Sequence, residues 1–425
     1  MQPEPQPGWS LADWLSYQEQ LHPQAIALGL ERVRRVAERL GLLSTPPLTL
    51  TVGGTNGKGS TTTLLSLIYR EAGYRVGAYT SPHLFRYHER VAIQGQPVDD
   101  AVLCRAFAAV EQGRDGEALT YFEFGTLAAL WLFREARVEV QVLEVGLGGR
   151  LDAVNVLDAD AAIVTNIGLD HQEWLGSDRD QIGREKAGIF RRGRPAVLAD
   201  REPPQGLLDA CTELAPDLWR FDRKDYSYTT ESDGWYWCDR QQRSPQLPWP
   251  ALQGQHQLDN AAGALALVQR LQQRLPVPWT AVQAALTALK LPGRMQWQGR
   301  FLLDVAHNAE AAQALVPVLQ AKGQKAVWIA GVLGDKPIEA IAQALAPVVE
   351  SVVTCDLSSP RAVSASVLCE RFRAAGLRAQ VGGDAPAALA VALRQAEADQ
   401  PILVCGSFLT VAALAPLMTQ FATDD

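Results

Sequence analysis

The sequence contains no run of about 18 apolar residues, so we do not expect a membrane span. Its six cysteines are scattered without a C-x-x-C pair, which favours free thiols in a reducing cytoplasm over a disulfide framework or a zinc site. The first residues lack the basic start and apolar core of a secretory signal, and the net charge of −8 gives no support to nucleic-acid binding. We therefore expect a cytoplasmic globular protein, and 425 residues indicate about two or three domains.

The segment 48–60 carries the most specific pattern in the chain. A β-branched and apolar run, L-T-L-T-V, breaks into the glycine-rich stretch G-G-T-N-G-K-G-S. Glycines let the backbone point its N–H groups at an anion, and a helix expected over Thr61–Arg70 adds its positive N-terminus. A second strand over Tyr74–Thr80 completes a βαβ unit, which predicts a phosphate-binding loop. The alternative is a glycine turn with a solvated lysine.

Within this loop we expect Lys58 to reach the β- and γ-phosphates of ATP and Ser60 to lie near them or their metal ion. The common nucleotide loop, G-x-x-x-x-G-K-[ST], is not matched strictly. Val52 occupies its first glycine position, and Gly59 separates Lys58 from Ser60. The predicted ATP-binding residues of the loop are Gly54, Thr55, Asn56, Gly57, Lys58, Gly59 and Ser60.

Polar side chains follow other predicted strands of the same domain. Ser81 follows the strand Tyr74–Thr80, Glu144 lies at the end of a strand over Val138–Val145, and His171 follows a strand over Ala161–Thr165. The carboxyl ends of parallel strands meet at one edge of a sheet, so these donors are expected beside the phosphate loop, where a hard cation such as Mg²⁺ fits. Histidine is an unusual Mg²⁺ ligand. For Glu144, a solvated charge at a strand terminus is the alternative.

Two features before the strand of Glu144 indicate a ligand pocket. The segment 120–133 begins with aromatic residues and becomes helical, so Phe122 is placed to stack on a flat heterocycle, although core packing also explains it. Helices are expected over Leu11–Glu19 and Leu30–Leu43, because Pro23 interrupts a continuous helix. The segment Ile26–Leu30 between them is either a cover over a ligand or a plain connector.

The predicted fold class is α/β. Residues 1–291 are expected to form a phosphate-loop ATPase-like domain with a mostly parallel sheet, and residues 292–425 a C-terminal Rossmann-like α/β domain after a hinge at Pro292-Gly293. The polar and aromatic alternation between Pro203 and Pro250 predicts a small antiparallel appendage rather than another parallel unit. The second domain shows four predicted strands, whose ends carry Asp304, His307, Lys336, Arg361 and Ser407.

Motifs along nearly the whole chain resemble one known family. They are, in order, W-L-S-Y, G-L-E-R-V, G-T-N-G-K-G-S, T-S-P-H-L, T-Y-F-E-F, L-E-V-G-L-G-G-R-L-D-A, L-D-H, R-E-K-A-G-I-F, L-P-G-R, D-V-A-H-N and C-G-S-F. Together they resemble the bifunctional bacterial dihydrofolate synthase/folylpolyglutamate synthases, the folate branch of the Mur ligase superfamily. Ala309 departs from the proline usual in that family, and G-Q-H-Q-L-D-N is closer to the monofunctional synthases.

The resemblance implies an ATP-dependent ligase, in which a pteroate or folate carboxylate attacks the γ-phosphate and the amine of L-glutamate then displaces phosphate. It implies a site on which Lys58, His171 and a carbamylated Lys186 are catalytic. The implied magnesium ligands are Ser81, Glu144, His171 and Lys186, and the implied further ATP contacts are Asn260, Arg294 and Asp304. The implied substrate residues are Leu30, Thr120, Phe122, Asp152 and Ala153 for the pterin, with His307 and Ser407 around the incoming glutamate.

The cofactors implied in this way are two Mg²⁺ ions, with K⁺ or another monovalent cation as a further candidate and ATP as co-substrate. The expected partners are 7,8-dihydropteroate, reduced folates and L-glutamate, without nucleic acid or membrane, and the resemblance implies a monomer. For Lys186, an ordinary surface lysine beside Glu185 is the alternative to the carbamate.

Three other functions are compatible with these sequence patterns. A monofunctional folylpolyglutamate synthase has the same architecture. A peptidoglycan Mur ligase usually carries an added N-terminal domain, for which there is no room before a loop that begins near residue 53. A phosphate-loop ATPase that acts as a switch explains the first domain and leaves the second sheet without a role.

Overall fold

The computed structural model describes residue 6, residues 8–221 and residues 225–418. The chain forms two compact units, the first comprising Met1–Ala251 and Leu258–Leu289 and the second Leu252–Gln257 and Lys290–Asp425. The first five residues, on which the expectation about a secretory signal largely rests, lie outside the described part. None of the helices within the described ranges combines the length and the apolar character of a bilayer-spanning segment.

The first unit contains ten α-helices and ten strands among its described residues, and the first residues of α9 belong to the second unit. The helices are α1 Leu11–Leu21, α2 Glu31–Arg39, α3 Lys58–Glu71, α4 Asp100–Arg114, α5 Tyr121–Glu135, α6 Gln172–Leu175, α7 Arg179–Ala187, α8 Gln205–Leu214, α9 Gln255–Arg270 and α10 Trp279–Ala288. The strands are β1 Leu48–Gly53, β2 Val76–Tyr79, β3 Val91–Ile93, β4 Gln96–Pro97, β5 Val140–Glu144, β6 Ala161–Val164, β7 Pro195–Leu198, β8 Asp217–Arg220, β9 Tyr226–Glu231 and β10 Gly234–Asp239.

Eight of these strands form one sheet in the order β4-β3-β2-β5-β1-β6-β7-β8. The six strands β2, β5, β1, β6, β7 and β8 are parallel to one another. The pairs β2–β3 and β3–β4 are antiparallel. Strand β1 lies inside the sheet and is almost wholly buried, which explains its continuous apolar and threonine-rich sequence. Since β2, β5, β1 and β6 are neighbours, the residues that follow them meet at one edge. The predicted parallel sheet is confirmed.

The prediction for residues 203–250 is wrong in its first part. Helix α8 and strand β8 add another parallel unit, since β8 pairs with β7 in the register Ala196 to Leu218. The signal was present, because Leu207, Ala210 and Cys211 recur at helical spacing and are buried. The antiparallel appendage begins only afterwards, with the two-stranded sheet of β9 and β10.

Helices α1, α2, α4 and α5 pack together beside the sheet. Helix α1 begins with a reciprocal cap, in which the Asp13 N–H donates to Ser10 Oγ and the Ser10 N–H donates to Asp13 Oδ2. It ends at Leu21, before Pro23. Helix α2 is shorter than predicted. Trp14 of α1 packs against Phe107 and Phe124, and α2 buries Val33, Val36 and Ala37 in the same core.

The second unit has a six-stranded sheet in the order β11-β12-β16-β13-β14-β15, parallel except for β11. Its strands are β11 Gln296–Gln298, β12 Phe301–Leu303, β13 Ala326–Ala330, β14 Val349–Cys355, β15 Ala379–Gly383 and β16 Ile402–Cys405. Its helices are α11 Ala309–Gln320, α12 Ile338–Leu345, α13 Ala365–Ala374, α14 Ala385–Gln395 and α15 Phe408–Met418. The four predicted strands are confirmed, while β11 and β15 were not predicted. Trp328, packed on Phe372, lies in the core.

Candidate active site

Two glycines shape the turn between β1 and α3. Gly54 has φ +140° and Gly57 has φ +81°, a backbone conformation that residues with a side chain rarely adopt. A Cβ atom at Gly57 would overlap the side-chain amide of Asn260, which α9 holds against the loop. Asn260 is 8% exposed. The structure therefore brings together two residues that were predicted separately to bind ATP.

The loop is tied to the segment that follows β6. The Thr55 N–H donates to the Asn166 carbonyl at 2.8 Å, and the Asn56 N–H donates to Asn166 Oδ1 at 2.8 Å. The Thr165 hydroxyl donates to the Asn56 carbonyl at 2.6 Å. These bonds between protein groups hold the backbone of the loop in place.

Two lysines converge on one carbonyl oxygen of the loop. The Lys58 ammonium, at the start of α3, donates to the carbonyls of Gly54 at 3.1 Å and Thr55 at 3.0 Å. Lys186, on α7, donates to the same Gly54 carbonyl at 2.8 Å. Burial, followed by the charge of Lys58, lowers the pKa of Lys186 to about 7. Lys186 is 5% exposed, so the surface-lysine alternative is wrong.

Glu144 lies against the start of α3. It is 4% exposed, and its Oε2 accepts a hydrogen bond from the Ser81 N–H at 3.0 Å. A Cβ atom at Gly59 would be 3.6 Å from the same oxygen. The alternative of a solvated charge is wrong, because the carboxylate is enclosed between the Ser81 segment and the phosphate loop.

His171 follows β6 at the same edge of the sheet. It has φ +52° and precedes the short helix α6. Its Nε2 lies 3.9 Å from Asp170 Oδ2, and its side chain is 33% exposed. His171 thus lies at the edge to which Ser81 and Glu144 also belong, with its imidazole partly exposed.

Asp152 organises the loop that follows β5. Its Oδ2 accepts from the Leu147 N–H at 2.8 Å, and its Oδ1 accepts from the Val154 N–H at 3.0 Å. It is 3% exposed, and burial raises its pKa to about 7 against the effect of these hydrogen bonds. Ala153, the next residue, is also buried.

The Leu30 and Phe122 segments lie against the Asp152 loop. The Gly29 N–H, next to Leu30, donates to the Leu151 carbonyl at 3.4 Å. Thr120 caps α5, and the Phe122 ring lies 5.8 Å from the ring of Tyr79. A Cβ atom at Gly146 would be 2.6 Å from the Phe122 ring. The five predicted pterin residues therefore belong to three segments that touch one another.

Arg32 joins two of these segments and was not predicted. Its Nε donates to Glu123 Oε2 at 2.8 Å, and its Nη2 donates to the Ala27 carbonyl. The same Glu123 oxygen accepts from the Thr120 hydroxyl at 2.9 Å. Arg32 lies in G-L-E-R-V, but its partner is 91 residues away in sequence. Asn166 was not predicted either, because its partner Asn56 is 110 residues away in sequence.

In the second unit, Asp304 holds the turn after β12. Its Oδ2 accepts from the Met295 N–H and its Oδ1 from the Ala306 N–H, both at 2.8 Å. Burial raises the pKa of Asp304, and the charge of Arg294 opposes this shift. The structure thus places the predicted residues Arg294 and Asp304 side by side.

His307 and Ser407 lie around Phe408. The ring centroids of His307 and Phe408 are 6.0 Å apart, and the Arg294 guanidinium carbon lies 5.4 Å from the Phe408 ring centroid. The His307 Nδ1–H donates to the Val305 carbonyl at 2.9 Å. Ser407 is 2% exposed and caps α15 through the Thr410 N–H at 3.1 Å.

Lys336 and Arg361, which the sequence also placed at strand ends, flank Asp335. The Lys336 ammonium lies 3.4 Å from the Asp335 carboxylate, and Arg361 donates to it at 2.9 Å.

Comparison with known proteins assigns both units. The family model of the Mur ligase middle domain matches residues 52–268, and that of the Mur ligase glutamate ligase domain matches residues 293–408. The dihydrofolate synthase/folylpolyglutamate synthase of Escherichia coli is 43% identical over 96% of this chain and 95% of its own length. That of Haemophilus influenzae is 38% identical over 95% and 96%, respectively.

Solved structures give the same result. The structure of E. coli FolC in complex with DHPP and ADP superposes with a TM-score of 0.92, at 42% identity over 98% of this chain and 99% of that one. A bifunctional folylpolyglutamate synthase/dihydrofolate synthase with Mn, AMPPNP and L-glutamate bound superposes with a TM-score of 0.89, at 44% identity over 96% and 98%. The chain therefore belongs to the dihydrofolate synthase/folylpolyglutamate synthase family of Mur ligases.

Proposed function

We propose that this protein joins L-glutamate both to 7,8-dihydropteroate and to reduced folates, in an ATP-dependent reaction through an acyl phosphate. The observation that carries the proposal is the enclosure of Glu144 between Ser81 and the phosphate loop, beside the two lysines on the Gly54 carbonyl. This arrangement suits phosphoryl transfer, which depends on positioning and charge neutralisation more than on a covalent nucleophile.

The reaction has two steps. First, an oxygen of the substrate carboxylate attacks the γ-phosphorus of ATP, the bond to the β,γ-bridging oxygen breaks, and ADP leaves. Second, the neutral amine of L-glutamate attacks the acyl carbon, the bond to the phosphate oxygen breaks, and inorganic phosphate leaves as the amide forms. The amine loses its protons to solvent or to a nearby base. We assign Lys58 to the charge that develops on the transferred phosphoryl group.

We propose that residues 1–291 form the ATP-binding domain and residues 292–425 the glutamate ligase domain. The phosphates bind the loop residues 54–60, while Asn260, Arg294 and Asp304 hold the rest of the nucleotide. Asn260 lies on Gly57, which supports its role at the loop. His307 and Ser407 are assigned to the incoming glutamate, because a half-buried imidazole and a serine hydroxyl can both bind its carboxylates.

The donors at the sheet edge fit Mg²⁺. Glu144 offers a buried carboxylate, Ser81 a hydroxyl and His171 a partly exposed imidazole. Among residues 8–221 and 225–418, no three histidine, cysteine, aspartate or glutamate side chains cluster to hold a metal. A site of this kind needs phosphate and water to complete it, as Mg²⁺ sites commonly do. When bound, the ion neutralises phosphate charge.

Lys186 is assigned as a carbamate that faces a second Mg²⁺. Its burial and lowered pKa favour the neutral amine, which is the form that adds carbon dioxide. A monovalent cation such as K⁺ is a further candidate. We also infer a cytoplasmic monomer, and sedimentation of the purified protein tests the monomer.

The pterin is assigned to the three touching segments of Leu30, Thr120 with Phe122, and Asp152 with Ala153. Phe122 presents an aromatic ring for stacking. Asp152 supplies a buried carboxyl group that suits the aminopyrimidinone edge.

The second candidate function is a monofunctional folylpolyglutamate synthase. The segment G-Q-H-Q-L-D-N at 254–260 favours it, because this segment is closer to those enzymes.

ADP release tests the proposal when dihydropteroate and tetrahydrofolate are offered separately with ATP and Mg²⁺. We expect ADP formation with each substrate to require L-glutamate for continued turnover, and each product to gain one glutamate. Turnover of tetrahydrofolate alone would establish the monofunctional alternative. An equal rate of ATP hydrolysis with and without these two substrates would contradict the ligase assignment.

A further inference from the structure

Arg90 carries a positive charge that has no role in the reaction proposed above. It is half-buried just before β3, and its guanidinium carbon lies 5.3 Å from the centroid of the Tyr87 ring and 5.5 Å from that of Tyr121. Its Nε donates to His83 Nδ1 at 2.9 Å. Two aromatic faces and one imidazole therefore fix the orientation of the guanidinium.

The three tyrosines around Arg90 are neutral at neutral pH. Burial raises the pKa of Tyr79 and of Tyr87 and raises that of Tyr121 to about 12, while Arg90 opposes each shift. The hydroxyl group of Tyr87 is buried without a hydrogen-bond partner in the described part of the chain.

No carboxylate within residues 8–221 and 225–418 forms an ion pair with Arg90. The adjacent Glu89 is engaged elsewhere, because its two oxygens accept from the N–H groups of Leu84, Phe85 and Arg86 at 2.6 to 2.7 Å. A half-buried guanidinium without a counter-charge is unfavourable unless a ligand supplies one. The charge of Arg90 is thus available to an anion.

The position of Arg90 indicates which anion this is. Tyr121 lies between Thr120 and Phe122, which are assigned to the pterin, whereas His83 lies two residues after Ser81, which is assigned to the metal. Arg90 contacts the side chains of Tyr121 and His83. Arg90 therefore connects the segment assigned to the pterin with the segment that carries Ser81.

We propose that Arg90 binds the α-carboxylate of the glutamate that reduced folates already carry. This proposal rests on the proposed function and deepens it. Dihydropteroate has only the carboxylate that reacts, whereas tetrahydrofolate presents a reacting γ-carboxylate and a second, non-reacting α-carboxylate. Arg90 is therefore a specificity-determining residue for the polyglutamylation reaction, and it is dispensable for the first addition of glutamate.

The test compares Arg90→Gln with wild type on two substrates that differ only in this glutamate, tetrahydrofolate and tetrahydropteroate. Loss of a charge-assisted hydrogen bond is expected to raise the Kd and KM for tetrahydrofolate roughly 10- to 100-fold. The values for tetrahydropteroate should change less than about threefold, and Arg90→Lys should restore part of the tetrahydrofolate affinity. The matched control is Arg86→Gln, because Arg86 is an exposed arginine of the same segment. This variant should leave the Kd and KM for both substrates unchanged.

A second arm does not depend on how the variant folds. Wild-type enzyme should bind the α-amide of tetrahydrofolate as weakly as Arg90→Gln binds tetrahydrofolate itself. Equal losses for both substrates in Arg90→Gln, or an α-amide that binds wild type as tightly as the acid, would overturn the role of Arg90. If the wild-type enzyme adds glutamate to neither substrate, the proposed function fails as well, and the two failures are therefore distinguished.

Discussion

Replacement of Lys186 tests whether this side chain acts as an anion. The unmodified ammonium is enclosed, donates to the Gly54 carbonyl at 2.8 Å, and has its pKa lowered from 10.5 to about 7 by burial and by Lys58. At pH 7 about half of such side chains are neutral, against roughly 1 in 3000 for a lysine in water, as follows from the two pKa values. The neutral amine is therefore abundant enough to capture carbon dioxide.

We expect Lys186→Ala to lose roughly 100-fold or more in kcat, since a group that orients metal and phosphate is removed. Acetate or propionate in the assay should restore part of this loss by occupying the vacated space. The assay is phosphate release with tetrahydrofolate and L-glutamate over a Mg²⁺ titration, with thermal unfolding as the check on folding. Lys186→Arg cannot form the carbamate, and if it keeps wild-type activity and Mg²⁺ dependence, the reasoning is refuted.

Three further predictions concern the loop and the pterin pocket. Lys58→Ala should melt like wild type yet lose roughly 10²- to 10³-fold in kcat, and unchanged turnover would contradict its role at the phosphoryl group. Gly57→Ala places a Cβ on the Asn260 amide at φ +81° and should weaken ATP binding at least tenfold, whereas Gly73→Ala, at φ +94° with open space, should cost only about 1 kcal/mol of stability; calorimetric titration with ATP compares the two. Because the folded-state pKa of Asp152 is raised from 3.8 to about 7, its contribution to stability is greatest below pH 3.8 and is lost as the pH rises to about 7. Denaturation of Asp152→Asn across that range should lack this decline, and an identical pH profile would contradict the raised pKa.

The phosphate loop could be predicted because its determinants are local. Gly54 and Gly57 need positive φ, Lys58 begins the helix, and β1 is apolar because both faces of the sheet are covered. These requirements fall on residues that are adjacent in sequence, so they produce a local pattern. The edge that carries Ser81 and Glu144 followed from strand direction alone, which the observed order of the sheet bears out.

The remaining features depend on contacts between distant residues. Asn166 binds the loop from 110 positions away, and Arg32 reaches Glu123 over 91 positions, so neither pairing leaves a local pattern. The parallel unit of α8 and β8 was hidden for another reason. Strand β8 has only four residues. The strong aromatic alternation that follows it favours an antiparallel prediction for the whole segment 203–250.

Oxygen transfer from substrate to phosphate tests the central claim most directly. Tetrahydrofolate or dihydropteroate labelled with ¹⁸O in both oxygens of the reacting carboxylate is incubated with ATP, Mg²⁺ and L-glutamate, and the released phosphate is analysed by mass spectrometry. An acyl phosphate requires that one ¹⁸O atom leave with the phosphate for each amide formed. Phosphate without ¹⁸O, accompanied by the glutamylated product, would contradict activation of the carboxylate by ATP.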